Sequence, residues 1–199
     1  MILAGVLIDE SKEEDLKRLG VKDSKLLSPN QRKLIYSNII KLVKNYKIIK
    51  VFPKEIDDAV FSNKTNLNWL EADKMADIIN YLKPNKIIVD CPSNNISKFS
   101  TYLNKKLKVK TELKCEHKAD LNHLVCGAAS IIAKVTRDNE IEKIQKMIPY
   151  KIGSGYPSDP ITKEFLKEHG DKYPEIFRKS WSTYKNHKED KKQSSLKEF

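Results

Sequence analysis

Two isolated aspartates are the residues of this chain best suited to hold a hard cation. Asp90 follows the short apolar run Lys86 to Val89 and precedes Cys91-Pro92, while Asp120 opens a long apolar-striped segment reaching Met147. Each stands at an element boundary, where a side chain reaches a cleft. Mg²⁺ is satisfied by a few carboxylates and keeps several waters, so aspartates placed this way suit phosphate chemistry. The plainer alternative is that Asp120 caps its helix and Asp90 forms a turn before Pro92. Asp9-Glu10 is a second acidic pair, just past the first strand. Adjacent side chains diverge, so these two serve one metal only if the backbone bends there; a solvated strand exit is the simpler reading.

Three further constellations have a chemical reading. The stretch Lys151 to Pro160, KIGSGYPSDP, sets Tyr156 between Gly155 and Pro157. Amides of a glycine loop approach a phosphate closely, and a fixed tyrosine ring stacks on a sugar or base. A loop built of ordinary turn residues reads the same way. In Lys22-Asp23-Ser24-Lys25, Ser24 and Lys25 can grip a phosphate, or the cluster is a charged surface turn. Cys115, His117, His123 and Cys126 form a Cys₂His₂ set on paper, but their spacing matches no usual zinc finger and Cys126 falls on an apolar stripe.

The elements that must position these residues follow from periodicity. Ile2 to Ile8 reads as a buried strand and Tyr46 to Phe52 as another, ended by Pro53. Ser28-Pro29-Asn30-Gln31 is a capping box with proline at the first helical position, opening a helix to about Val43. A second helix spans Asn66 to Leu82; Lys86 to Val89 is a compact strand with Asp90 at its carboxyl end, where open α/β sheets bind ligands. Ser97 caps a helix to about Lys106, and Val109 to Leu113 is a strand. Asp120 opens the longest helix, where Gly127, Ala128, Ala129 and Ser130 permit close packing. Short helical pieces follow at 162–168 and 180–187. Interleaved strands and helices predict an α/β or α+β fold with a sheet flanked by helices.

The chain has 199 residues, enough for one sizeable core. No stretch approaches the run of about 18 apolar residues that a membrane span requires, and mean hydropathy is −0.58. The first ten residues lack a basic region and a cleavage site, so they make a poor signal peptide. Three irregularly spaced cysteines form no disulfide framework, which makes the cytoplasm the expected compartment. Basic residues outnumber acidic ones by 38 to 27, a net +11 that points to an acidic partner such as nucleic acid. Only four of the 38 are arginine, and a lysine-, asparagine- and isoleucine-rich chain also follows from an AT-rich genome.

The motifs Lys22-Asp23-Ser24-Lys25, Val89-Asp90-Cys91-Pro92, His117-Lys118-Ala119-Asp120, Ala128 to Asp138 (AASIIAKVTRD) and Gly153 to Pro160 (GSGYPSDP) occur in the order and approximate spacing of ribonuclease HII. The chain resembles the archaeal form of that family from about Met1 to Tyr184. The resemblance implies an α/β, ribonuclease H-like fold, a central mixed sheet flanked by helices, with a C-terminal helical extension. It implies an endonuclease that uses two Mg²⁺ or Mn²⁺ ions to cut the RNA strand of RNA–DNA hybrids and to cut at ribonucleotides embedded in DNA, leaving 3′-hydroxyl and 5′-phosphate ends. By resemblance, Asp90 and Asp120 are catalytic metal ligands. Gly155 and Tyr156 meet the RNA-to-DNA junction, where only the 2′-hydroxyl separates RNA from DNA. Ser24 and Lys25 bind backbone phosphate, and Lys118 and Arg137 lie near the site.

One departure accompanies the resemblance. Family members open with a strand ending in Asp-Glu-Ala-Gly-Arg-Gly, whose two acids complete the metal site, and that motif does not occur here. Asp9-Glu10 continues as Ser11-Lys12 and corresponds better to the exit of the family's second strand. The expectation is therefore a chain lacking its first strand, with residues 1–184 as a ribonuclease H-like domain and 185–199 as a mobile basic tail, monomeric and away from membranes. The alternative is a catalytically impaired homologue that binds hybrids without cutting them.

Overall fold

The computed structural model describes residues 1–21 and 27–196. The chain clusters into two compact units, one of residues 2–50 and 67–137, the other of 51–66 and 138–199 with Met1.

The first unit is built on two short ladders. β1 (Ile2–Leu7) pairs antiparallel with β2 (Asn45–Lys50), Ile2 opposite Lys50 and Leu7 opposite Asn45. β3 (Lys86–Asp90) pairs parallel with β4 (Glu112–Glu116), Asp90 opposite Glu116. The sequence predicts one central mixed sheet; among the described residues the pairing is split into an antiparallel and a parallel pair. Helix α4 (Leu67–Leu82) serves both pairs by packing instead of by hydrogen bonds. Its Ile78 lies so close to Gly5 of β1 that a Cβ there would come within 2.4 Å of Ile78 Cγ2. Its Ala72, Ala76 and Ile79 pack with Ile87 and Val89 of β3 and with Phe99 and Leu103 of α5 (Ile96–Lys106), the crossover between β3 and β4.

A second cluster in this unit joins Leu16 of α1 (Glu13–Arg18), Val21, Ile39 of α2 (Pro29–Leu42) and Val43 to Ala128, Ile131, Ile132 and Val135 of α7 (Leu124–Met147). Full burial of each large aliphatic stabilises the fold by roughly 1.5–3 kcal/mol, which anchors α7 against α1 and α2. The capping box forms as its residues dictate: Ser28 Oγ accepts from Gln31 N–H at 3.3 Å and Gln31 Oε1 accepts from Ser28 N–H at 2.9 Å.

The second unit contains α3 (Pro53–Phe61), α8 (Pro160–His169), a 3-10 turn at Pro174–Ile176 and α9 (Ser182–Leu196), around Ile148, Ile152, Phe165, Leu166, Phe177 and Tyr184. The buried Asp57 carboxylate of α3 accepts the backbone N–H groups of Lys179 at 2.8 Å and Ser180 at 2.9 Å. Two segments far apart in sequence are tied at that point by charge-assisted bonds.

Several local expectations shift. Pro53 does more than end a strand: with its fixed φ it starts α3, which periodicity missed. Asn95, not Ser97, caps α5, accepting Lys98 N–H at 2.9 Å. The fourth strand lies three residues later than predicted, because Leu107 and Val109 pack into the α4–α5 cluster from outside the ladder. The helix predicted from Asp120 to Met147 breaks at His123, whose φ of −129° is extended, leaving the short α6 (Ala119–Asn122) before α7. Where a tail is predicted from Lys185, the described backbone is helical to Leu196. Among the described residues no helix is long and apolar enough to cross a membrane.

Candidate active site

Asp90 stands exposed at the carboxyl end of β3, the edge that topology reserves for ligands. After β4 the chain turns through Lys118 in the left-handed region (φ 58°), a conformation costing a lysine about 1 kcal/mol or more. That turn aims the first turn of α6 back at β3, so the N–H of Ala119 donates to Asp90 Oδ1 at 3.1 Å. Asp120 is the next residue, in the same turn and half-exposed. The β3 end is pinned further by Cys91 N–H to Glu116 O at 2.9 Å and by His117 Nδ1 against Cys91 O at 3.1 Å.

The electrostatics follow from this crowding. Cys126, in the first turn of α7, points its thiol at Ile88 O at 3.4 Å. Burial, and then the charges of Asp90, Asp120 and Glu116, push that thiol up to about 12, so in the protein without a bound ion it stays protonated. Glu116 is an acidic neighbour that sequence reasoning missed. Its carboxylate accepts Lys114 Nζ at 2.8 Å and Asn122 Nδ2 at 2.9 Å, and His123 Nε2 lies 3.1 Å away. The lysine and the amide hold its acid constant down to about 2, so it is ionised and already engaged. Its signal in the sequence was hidden by the three-residue error in β4, which concealed that Glu116 faces Asp90.

The donor set fits a hard divalent ion in kind: Asp90 is exposed at the end of β3 and Asp120 half-exposed on α6, two carboxylates that solvent reaches. Among the described residues no group of three or more His, Cys, Asp or Glu assembles as a metal cage. The Cys115, His117, His123 and Cys126 set, already disfavoured by its spacing, does not come together: Cys126 is turned to a carbonyl, His117 Nδ1 lies against Cys91 O and His123 against Glu116. Asp9 and Glu10 form a solvated strand exit, facing Lys44 and Lys86 at 4.0 Å each. Lys86 opens β3, about 13 Å of strand from Asp90.

The remaining predicted residues fall elsewhere. Lys118 is exposed on the turn between the two aspartates. Arg137 lies on α7 about 20 Å along the axis from its first turn. Ser24 and Lys25 lie outside the described residues. Gly155 and Tyr156 belong to the other unit, in the loop before α8. There Gly153 (φ 69°) and Gly155 (φ 71°) take left-handed conformations that only glycine adopts freely, and Tyr156 follows them 48% exposed.

The sequence matches the family profile described as Ribonuclease HII over residues 1–184. It is 42% identical to the ribonuclease HII of Thermococcus sibiricus, with all of this chain and 91% of that protein aligned. The chain belongs to the ribonuclease HII family. Its fold superposes on the crystal structure of ribonuclease H2 from Pyrococcus horikoshii with a TM-score of 0.82, at 39% identity, covering 96% of this chain and 98% of that one. It superposes on the RNase HII of Archaeoglobus fulgidus, solved in complex with PCNA, with a TM-score of 0.83 at 36% identity, covering 94% and 88%. As a ribonuclease HII the chain is an endoribonuclease of the ribonuclease H class with a ribonuclease H-like fold, and the resemblance carried by its motifs holds.

Proposed function

We propose that this ribonuclease HII cuts the RNA strand of RNA–DNA hybrids and cuts at ribonucleotides embedded in duplex DNA, by two-metal hydrolysis leaving 3′-hydroxyl and 5′-phosphate ends. The observation that supports this reading is the Ala119 N–H bond to Asp90, which brings the residue next to Asp120 in the chain against the Asp90 carboxylate. Asp90 and Asp120 would hold the divalent ions. Mg²⁺ or Mn²⁺ bound there would supply an activated water and neutralise charge on the departing 3′-oxygen. Asp90 is kept oriented by the amide it accepts, and Glu116, neutralised by Lys114, adds little repulsion to an incoming phosphate. Lys118 and Arg137 are proposed phosphate contacts, as are Ser24 and Lys25; Gly155 and Tyr156 read the ribose. The protein acts as a monomer in the cytoplasm, and the A. fulgidus complex makes PCNA a proposed partner.

A second reading, hybrid binding without cleavage, is favoured by one observation: among the described residues no group of three or more His, Cys, Asp or Glu comes together to hold a metal ion. The two readings separate when the chain is incubated in Mg²⁺ or Mn²⁺ with a labelled duplex carrying one ribonucleotide and with a long hybrid. The expected result is a cut at the ribonucleotide and within the RNA strand, reduced about 100-fold or more by Asp90→Asn, since a lost metal carboxylate removes several kcal/mol of transition-state stabilisation. Binding of both substrates with no cut by the unaltered chain would establish the second reading instead.

A further inference from the structure

The loop that presents Tyr156 is fastened by two side chains to which no part of the proposed function gives a role. Asp159 caps α8 with Oδ1, accepting Ile161 N–H at 2.9 Å, and uses Oδ2 to accept Ser154 N–H at 2.6 Å. Thr162 is buried. Its hydroxyl accepts Gly155 N–H at 3.0 Å and donates to Ile152 O at 2.9 Å, bridging the two sides of the glycine turn. The Tyr156 carbonyl accepts Asp159 N–H at 3.0 Å, and its own N–H points at Ser154 Oγ at 3.5 Å. The fit leaves no slack, since a Cβ on Gly153 would come within 2.8 Å of both Asp159 Oδ2 and Thr162 Oγ1. Successive loop amides at 154 and 155 are thus pinned to α8, and the backbone on either side of Tyr156 is held.

A helix needs only one carboxylate oxygen at its N-cap, and Asp159 spends the other on the loop. Thr162 sits in the first turn, where its hydroxyl is not needed by α8 at all. Both side chains therefore couple the loop to a rigid element, the arrangement that keeps a contact residue within the small tolerance recognition requires.

We propose that Asp159 and Thr162 are positioning residues that hold Tyr156 in the orientation with which it distinguishes ribose from deoxyribose. This rests on Tyr156 reading the ribose, as stated above. The Ser154 hydroxyl, and then the Ser154, Ile161 and Thr162 amides, also lower the Asp159 carboxyl to about 2, so the tie persists across the neutral range.

The test is the binding ratio between a duplex containing one ribonucleotide and its all-DNA counterpart, measured by fluorescence anisotropy without divalent ions. Asp159→Asn keeps an oxygen for the cap but sets an N–H₂ donor against Ser154 N–H; Thr162→Val keeps the shape and removes the hydroxyl; Thr162→Ser retains it. Tyr156→Ala should lose the preference for ribonucleotide. Asp159→Asn and Thr162→Val should each lower it about tenfold, as loss of one or two structural hydrogen bonds implies, with affinity for all-DNA duplex unchanged. Thr162→Ser should restore it, and Tyr156→Ala combined with Thr162→Val should be no worse than Tyr156→Ala alone. Wild-type preference in both Asp159→Asn and Thr162→Val, beside a loss in Tyr156→Ala, overturns the inference and leaves the reading of Tyr156 standing. Unchanged preference in Tyr156→Ala overturns that reading and, with it, this inference.

Discussion

Glu116 stands opposite the proposed metal ligand Asp90 in the β3–β4 ladder, and its own contacts give it a predicted part in stability. It is ionised because Lys114 and Asn122 bond to it, and its acid constant falls from the ordinary 4.5 to about 2. A carboxyl lowered on folding contributes stability that is fully present above its unfolded value and disappears as pH falls through the folded one. Thermal unfolding of wild type and Glu116→Gln should therefore differ most at neutral pH and converge between about pH 4.5 and 2. A constant gap over that interval would mean that Glu116 acts through shape alone. At this scale the sequence was legible where chemistry demands an isolated acid: Asp90 and Asp120 stand out because each sits at an element end. Glu116 did not, since nothing in a charged strand says which of its acids faces a neighbour until the β3–β4 register is known. Asp159 was not read as the cap of α8, and its second bond, to Ser154, depends on a loop path that local sequence does not encode.

Elements were legible where local signals and burial agree. The Ser28 capping box and the helix after it formed as their residues require, and both strand-end and helix-start placements of the aspartates held. The break at His123 was not, because the apolar stripe continues in register through it; the interruption comes from tertiary demands, the α6 turn reaching for Asp90 while α7 packs on Leu16, Val21, Ile39 and Val43. Gly127 marks where those demands meet. A Cβ there would lie 2.9 Å from Val21 Cγ1 and 3.1 Å from the carbonyl oxygen of Asp120, and backbone cannot swing aside as a side chain does. Gly127→Ala should cost about 1–3 kcal/mol, the usual penalty of overpacking, seen as a lower urea midpoint. It should also reduce cleavage by more than the fraction unfolded explains, since the turn displaced is the one carrying Asp120. A neutral or stabilising effect, as helix propensity alone would give, would show that α7 is free to shift away from the α6 turn.

For the molecule as a whole, the net charge of +11 was the compositional signal with two explanations, a phosphate-bearing partner or a lysine-rich coding bias. Family membership supplies the partner class, yet it does not say that these lysines touch phosphate. Lysine is a compact point charge on a flexible stem, suited to backbone phosphate but poor at the bidentate geometry that reads bases. Its contribution should be independent of sequence and of sugar, and should enter through released counterions. With about six phosphates contacted, log affinity should fall against log salt with a slope near −5, an approximately 10³-fold loss between 50 and 200 mM. The slope should be equal for a hybrid and for an all-DNA duplex of the same length. The preference for a ribonucleotide, carried by a neutral hydroxyl, should meanwhile stay constant across that range. A slope shallower than about −2 would assign the charge to coding bias, since so few counterions would be displaced. Unequal slopes would place part of the discrimination in the lysines and take it from the Tyr156 loop.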